Sequence, residues 1–262
     1  MKYFVEFASV LAAGLLAISP VRAADIYSTM APELNQTEKD GWTFAFAPYL
    51  WAAGLSGDIA QFGLPEVHVD ADFGDILDDL DFAAMAIGEA RYDRYSIFGD
   101  IIYTKISSGS ATPRGILASS VDVSSETFAG LIGAGYAVLQ NDKGNLDLVG
   151  GVRVWHVSTD ISFSGGFLDG RDVSDSATWV DGLVGVRGKY SITDNFYLTG
   201  WGLVGGGGAN VDWDVMGGIG YKFNDTFSAV AGYRALGVDY SDDGFIFDVV
   251  QQGPILGVVM RF

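Results

Sequence analysis

Apolar and polar side chains alternate along much of the chain after Trp42. A period of two indicates β-strands with one apolar and one polar face. The final segment, residues 254–262, places apolar side chains at every second position up to Phe262, with Arg261 in the other register. The other alternating segments are residues 42–50, 82–92, 95–103, 146–154, 180–190, 211–223 and 227–233. Two further segments, 127–139 and 196–204, are apolar or glycine in both registers, so the pattern does not assign their faces.

The number of strands follows from the turns. Short polar connections, with compositions suited to reverse turns, lie at residues 92–94, 140–144, 193–195 and 224–225. Longer acidic or glycine-rich connections lie at residues 54–80, 107–118, 164–176, 205–210 and 241–246. Four short turns alternating with five long loops predict ten strands, with both termini on the short-turn side. Eight or twelve strands stay open, because residues 65–72 also alternate and fit part of an extra hairpin.

Several apolar faces end in aromatic residues, as between Phe82 and Tyr92 and between Tyr95 and Tyr103. Such bracketing is typical of transmembrane strands, whose ends lie at the membrane interfaces. In lipid every backbone polar group must be paired, and without helices only a closed sheet achieves this. The sequence therefore predicts an all-β fold, a transmembrane antiparallel up-and-down β-barrel. Its apolar face is expected to meet lipid and its charged face the lumen.

The first long connection carries a helical signal at residues 73–80. Ile76, Leu77 and Leu80 fall on one side at helical spacing, and Asp75 lies in the first turn, where a carboxylate favours the helix dipole. We expect a short helix here, acting either as a cap on the barrel mouth or as a plug that dips into the lumen.

The amino-terminal residues predict export. Lys2 gives a positive start, residues 7–18 form an apolar run, and Ala23 ends a plausible cleavage site, so residues 1–23 are interpreted as a signal peptide. Residues 24–41 are expected to be a flexible periplasmic leader, and residues 42–262 the barrel. The chain has no cysteine, which excludes a disulfide framework.

The formal net charge of −18 argues against nucleic acid as a partner, because phosphate binding needs clustered Lys and Arg. Acidic residues concentrate in the predicted external segments: Asp70, Asp72, Asp75, Asp78, Asp79, Asp122, Asp160, Asp169, Asp172, Asp175, Asp242 and Asp243. An acidic mouth attracts cations over about a Debye length, roughly 8 Å at physiological salt. Any pore would then favour small cationic solutes.

A second set of charges falls on the predicted lumenal face. Its members are Glu89, Arg91, Asp100, Arg153, Asp181, Arg187, Arg234 and Arg261. Both signs occur at similar depth on different strands, and an unpaired buried charge costs several kcal/mol, so we expect ion pairs across a narrow interior. Structural pairs that fill the lumen are the leading interpretation, a selectivity constriction is the second and catalytic carboxylates are the third.

Other candidate chemistry is weak. His156, Ser158 and Asp160 share one strand face, about 6.5–7 Å between successive members, which is too far for direct nucleophile-to-base contacts. His68 lies among acidic residues of the first long loop, where a solvated, pH-sensitive contact is expected. The GxGxxG pattern at residues 200–205 leads into a further strand instead of a helix, so the dinucleotide-binding context is missing. The sequence predicts no catalytic residues, no metal site and no cofactor.

A set of short motifs occurs in order along the predicted barrel: Trp42-x-Phe44-x-x-x-Pro48-Tyr49-Leu50-Trp51, Asp75-Ile76-Leu77-x-x-Leu80, Glu89-Ala90-Arg91, Asp100-x-x-Tyr103, Gly232-Tyr233-Arg234, Gln252-Gly253-Pro254 and Arg261-Phe262. Together they resemble a family of small, largely uncharacterised outer-membrane β-barrel proteins of Gram-negative bacteria. The resemblance implies a location in the outer membrane, among its lipids and lipopolysaccharide. A terminal aromatic such as Phe262 implies the barrel-assembly machinery as a partner. The resemblance implies no catalytic residues.

Three functions of different classes fit these observations. The first is a non-enzymatic barrel with a structural or porin-like role, passing small solutes with a preference for cations. The second is an outer-membrane enzyme that modifies lipid or peptide at its rim, for which only His156 and His68 are available as histidines. The third is a soluble periplasmic β-sandwich, although aromatic bracketing of the strands argues against it.

Overall fold

The computed structural model describes residues 41–111 and 119–262. The expected signal peptide, residues 1–23, and the expected leader up to residue 40 lie outside the described residues. No helix in the described ranges is long and apolar enough to cross a membrane.

The described residues form twelve strands, one α-helix and one turn of 3-10 helix, Gly166–Leu168. The α-helix is α1 (Phe73–Asp78), close to the expected position. The strands are β1 (Trp42–Trp51), β2 (Gly54–Ala60), β3 (Val67–Ala71), β4 (Leu80–Tyr92), β5 (Tyr95–Ala111), β6 (Ser120–Asn141), β7 (Gly144–Ser164), β8 (Arg171–Ser191), β9 (Phe196–Gly207), β10 (Val211–Lys222), β11 (Phe227–Asp242) and β12 (Phe245–Arg261).

Ten of these strands close into an antiparallel barrel, which confirms the predicted fold. The order around the ring is β1-β4-β5-β6-β7-β8-β9-β10-β11-β12, and β12 pairs back to β1. Strands β2 and β3 stand outside the ring as a hairpin attached to β12. This hairpin contains the alternating residues 65–72 that left the strand number open.

The last strand, β12, has two successive partners along one edge. Its segment Ile255–Arg261 pairs with β1, and its segment Ile246–Gln252 pairs with β2. Ala52 and Ala53 interrupt the partner strand between these two stretches. A Cβ atom on Gly253 would clash with the carbonyl oxygen of Ala52, so this break requires a glycine at position 253.

The two ends of the barrel differ. All four predicted short turns lie at one end, together with the start of β1 and the end of β12; we call it the turn end, and the opposite end the loop end. Two connections expected to be long are short. Strand β9 continues to Gly207, and only Asp243 and Gly244 join β11 to β12. Both residues have positive φ, as a two-residue hairpin turn requires.

Aromatic side chains form a girdle on the outer surface at the turn end. Its exposed members are Trp42, Tyr92, Tyr95, Tyr136, Tyr190, Phe196, Tyr221, Phe223, Phe227 and Phe262. Towards the loop end, Phe82 and Tyr103 pack with ring centroids 5.9 Å apart. Tyr95 and Tyr103 are about 26 Å apart along a strand of 3.3 Å rise. Between the two aromatic levels the outer face is apolar, which matches a transmembrane wall.

Helix α1 does not enter the lumen. Asp72 and Asp75 form a capping box at its start, none of its residues is buried, and Leu77 is 52% exposed. The tip of the β2–β3 hairpin reaches across the mouth instead. The backbone nitrogen of Phe62 donates a hydrogen bond to Oδ2 of Asp175, in β8, at 2.5 Å. The hairpin tip, and not the helix, therefore bridges the loop end.

Candidate functional site

Arg234 lies at the centre of a charged layer that crosses the lumen. The side chain is completely buried. Its Nη2 donates hydrogen bonds to Oδ2 of Asp100 at 2.6 Å and to Oδ2 of Asp214 at 2.7 Å. Its Nη1 donates to the hydroxyl of Tyr49 at 2.8 Å, and that hydroxyl donates to Oδ1 of Asp100 at 2.7 Å. One arginine of β11 thus joins β1, β5 and β10.

Arg153, from β7, extends the same layer. Its Nη1 donates to Oδ1 of Asp212 at 2.5 Å, and its Nη2 donates to Oδ2 of Asp214 at 2.6 Å. Two indole nitrogens complete the carboxylate contacts: Nε1 of Trp155 donates to Asp212 and Nε1 of Trp201 to Asp214, both at 2.9 Å. We call this set the charge layer: Tyr49, Asp100, Arg153, Asp212, Asp214 and Arg234.

The charge layer crosses the lumen at one level. All six of its side chains are buried, and they converge from five different strands. A ten-strand barrel is only slightly wider than the eight-strand barrels that side chains fill. Because buried charges are costly unless they are paired and hydrogen-bonded, this saturated network fixes the five strands at one register.

On the loop-end side of the charge layer the lumen is packed with aromatic rings. We call this the aromatic block: Trp155, Trp179, Tyr240, Phe245 and Phe247. The rings of Trp179 and Tyr240 stack with centroids 4.0 Å apart, and those of Trp155 and Trp179 stack at 5.8 Å. Leu236, Val238 and Val249 are almost fully buried in the same cluster. This half of the lumen is packed like the core of a soluble protein.

On the turn-end side the lumen instead contains a cavity of about 190 Å³. We call it the turn-end cavity. Four cationic side chains line it, namely Arg91, Arg187, Lys189 and Arg261, with only two carboxylates, Glu89 and Asp147. Tyr49, Trp201 and several aliphatic side chains form the remaining wall. The cavity therefore carries an excess of two positive charges within an otherwise acidic protein.

The predicted lumenal residues divide between these layers. Arg153 and Arg234 lie in the charge layer with Asp100, while Arg91 and Arg187 share Glu89 at the cavity, each at 3.2 Å. Arg91 also pairs with Asp147. The last two members lie apart from these pairs. Asp181 accepts a hydrogen bond from the backbone nitrogen of Ala209 at 2.8 Å, and Arg261 donates to the hydroxyl of Ser228 at 3.0 Å.

Several residues of these layers are missing from the set predicted from the sequence: Tyr49, Asp147, Trp155, Lys189, Trp201, Asp212 and Asp214. Asp147, Asp212 and Asp214 have the charged, lumenal register, so strand alternation alone placed them on this face. The indoles and the phenol carry no comparable signal, because an aromatic residue on a strand suits either face. What sequence could not supply was the matching of heights between strands, which selects the partner of each charge.

The two histidines lie apart from each other, one on the outer face of β7 and one in the β2–β3 hairpin. His156 is exposed on the outer face, and its Nδ1 lies 2.7 Å from the hydroxyl of Thr178 on the neighbouring strand. His68, also exposed, lies 2.7 Å from Asp58 within the β2–β3 hairpin. In the described ranges no group of three His, Asp or Glu residues is arranged to hold a metal ion.

Beyond the apolar band at the loop end, carboxylates form a row across the outer face of neighbouring strands. Asp239, Asp248 and Asp58 are successive cross-strand partners on β11, β12 and β2, and Asp58 continues to His68 on β3. Partial burial, and then the neighbouring charges of Asp239 and Asp58, raise the pKa of Asp248 above its ordinary value. This row belongs to the acidic surface expected from the sequence.

The closed ring of ten strands, with its aromatic girdle and charged interior, defines the fold of a small outer-membrane-type β-barrel protein. The model of a family described as "Protein of unknown function, DUF481" matches residues 124–239, from β6 into β11. No curated protein sequence matches the chain significantly.

A solved structure supports the fold. The chain is similar to the outer membrane protease OmpT from Escherichia coli, with a TM-score of 0.56 and 13% sequence identity over 86% of this chain and 98% of that one. Ail, the attachment invasion locus protein of Yersinia pestis, gives a TM-score of 0.38 and 14% identity over 85% of this chain and 99% of that one. The likeness to OmpT concerns the fold alone.

Proposed function

We propose that this protein is a structural barrel of the bacterial outer membrane whose lumen is closed to solutes. The single observation that carries the proposal is the charge layer: five strands send hydrogen-bonded, buried side chains to one level, and the aromatic block fills the space beyond it. A solute-conducting pore would require these side chains to separate. Each charge would then lose its partner inside the barrel, which is energetically costly.

The outer-membrane location is supported by the outer surface. An apolar band bounded by aromatic side chains is what a lipid bilayer requires of a barrel wall. The turn end would then face the periplasm and the loop end, with its acidic row, the cell exterior. Lipids and lipopolysaccharide would contact the wall, and the terminal Phe262 would serve the barrel-assembly machinery.

An enzymatic role at the rim, as in the protease OmpT, has less support. His156 faces outward and is engaged with Thr178, and His68 lies with Asp58 on an exposed hairpin. The hydrogen-bond partners of the two histidines are Thr178 and Asp58, and neither partner is a serine. We therefore propose no catalytic activity for this barrel.

Planar-bilayer recordings on the full chain, folded in lipid, test the proposal. The parent protein is expected to insert without stable openings. A variant that cuts the layer on both sides, Arg153→Ala with Arg234→Ala, serves as the sensitised comparison and is expected to show openings if it folds. Large, stable openings of the parent would overturn the closed lumen, and cation or anion selectivity would then identify a porin-like role.

Location requires a separate measurement. We expect the parent to fractionate with the outer membrane and to migrate differently on gels before and after heating, as folded barrels do. Deleting Phe262 should lower the amount of folded, heat-modifiable protein by removing the terminal signal. Undiminished folding of that deletion variant would contradict the proposed assembly route.

A further inference from the structure

The turn-end cavity has more positive charge than its own carboxylates neutralise. Of its four cationic side chains, Arg91 and Arg187 share Glu89, and Arg91 also pairs with Asp147. Lys189 and Arg261 have no carboxylate within 4.0 Å among the described residues. A buried or half-buried cation without a counter-charge is unfavourable unless another group supplies the negative charge.

Both of these cations contact the same aromatic ring. Nζ of Lys189 lies 4.4 Å from the ring centroid of Tyr197, and the guanidinium carbon of Arg261 lies 5.5 Å from it. Cation–π contacts of this kind are weaker than the ion pair that an anion would form with these cations in a closed site. The ring itself is held in place, because its hydroxyl lies 3.0 Å from the hydroxyl of the fully buried Ser228.

A third donor of the cavity is also incompletely used. Nη1 of Arg187 is buried and makes no hydrogen bond of normal geometry, although Oε2 of Glu89 lies 3.2 Å away. An ion-pair distance alone does not orient an N–H group towards an acceptor. Because this nitrogen has almost no accessible surface, Arg187 contributes positive charge beside the cavity and not a free donor.

We infer that the turn-end cavity binds a small organic anion, with its carboxylate or phosphate at Lys189 and Arg261. Its apolar part would lie against the wall formed by Ile87, Met216, Val230 and Trp201. A volume of about 190 Å³ is enough for a molecule of the size of benzoate. The charge layer closes the inner end of the cavity, so the ligand would enter and leave at the turn end.

This inference goes beyond the structural role proposed above. The outer-membrane role decides only which compartment the turn end faces. Binding itself depends on the cavity. A failure of the outer-membrane assignment would therefore leave the site intact, and a failure of binding would leave the closed barrel intact.

Isothermal titration of the full chain, folded in a non-ionic detergent, tests the site with three probes: benzoate, the neutral benzyl alcohol and inorganic phosphate. We expect one benzoate per chain, weaker binding at higher salt and much weaker binding of the other two probes. Lys189→Gln should weaken benzoate binding by at least about tenfold, the loss of one charge-assisted contact. Lys105→Gln is the matched control, because Lys105 pairs with Glu126 outside the cavity, and it should bind as the parent does.

Four results would overturn the inference. Benzoate binding that is absent at millimolar concentrations, or equal in the parent and Lys189→Gln, removes the anion site. Benzyl alcohol binding as tightly as benzoate removes the role of the charge. Inorganic phosphate binding as tightly as benzoate removes the role of the apolar wall. Heat-modifiable migration of both variants establishes that each has folded.

Discussion

The two halves of the lumen differ in what occupies their interior. Towards the loop end, aromatic and aliphatic side chains fill the interior, and the exposed surface around it is acidic. Towards the turn end, the interior stays partly open and cationic. The charge layer separates them. In the proposed closed barrel, the charge layer closes the lumen without side chains filling its whole length, and the turn-end cavity is left for the proposed ligand.

The largest expected effect is on the boundary between the halves. Arg234→Ala leaves Asp100 and Asp214 buried with fewer partners, which should destabilise the barrel by about 3–5 kcal/mol. Denaturant unfolding in detergent, followed by tryptophan fluorescence, measures the change. Arg171→Ala, at an exposed arginine in β8, is the control and should leave the unfolding midpoint in place. An equally small effect of Arg234→Ala would show that Asp100 and Asp214 do not need this buried partner for the stability of the barrel.

The packed half should respond to truncation as a core does. Trp179→Ala removes a ring that stacks on Tyr240 and Trp155, and its expected cost is about 3–5 kcal/mol. Trp42→Ala, at an exposed girdle position, provides the comparison and should cost clearly less. The same unfolding assay applies. Equal costs at the two sites would contradict the picture of a densely packed loop-end lumen.

The wall around both halves should reject charge. Val186 is 41% exposed on the apolar band, and Val186→Arg should cost roughly 2–4 kcal/mol in lipid. Val186→Leu keeps the site apolar at greater size and should fold like the parent. Refolding into liposomes at a series of urea concentrations gives both values. Tolerance of arginine would mean that this face does not contact lipid.

The smallest effect should appear in the acidic row on the outer face. Asp248 lies directly between Asp239 and Asp58, and like charges on opposed strands destabilise by about 0.2–1 kcal/mol. Since the folded-state pKa of Asp248 is raised, this penalty is absent at low pH and appears as pH rises through that pKa. Asp248→Asn should therefore stabilise the barrel at pH 7, with the gain vanishing in acid or in high salt. A gain of the same size at all pH values would point to a cause other than charge.

Sequence predicted the ring of ten strands because period-two alternation and turn chemistry are local properties. The same logic was wrong at residues 241–246, where Asp243-Gly244 is a two-residue hairpin signal that acidic composition obscured. Faces of residues 127–139 became clear only in the structure, which buries Leu131 and exposes Ile132. Ion-pair partners were beyond sequence for a different reason. The pairing of Arg234 with Asp100 depends on strand stagger around the whole ring, which no single segment encodes.

The divided pairing of β12 separates closure of the ring from attachment of the β2–β3 hairpin. Its two stretches, with β1 and with β2, are separated by the break at Ala52 and Ala53. Strand β12 is therefore paired twice along this edge, with β1 within the apolar band and with β2 beyond it. The upper pairing attaches the β2–β3 hairpin, whose tip contacts Asp175, whereas the lower pairing closes the ring of ten strands. Closure of the ring therefore does not depend on the hairpin.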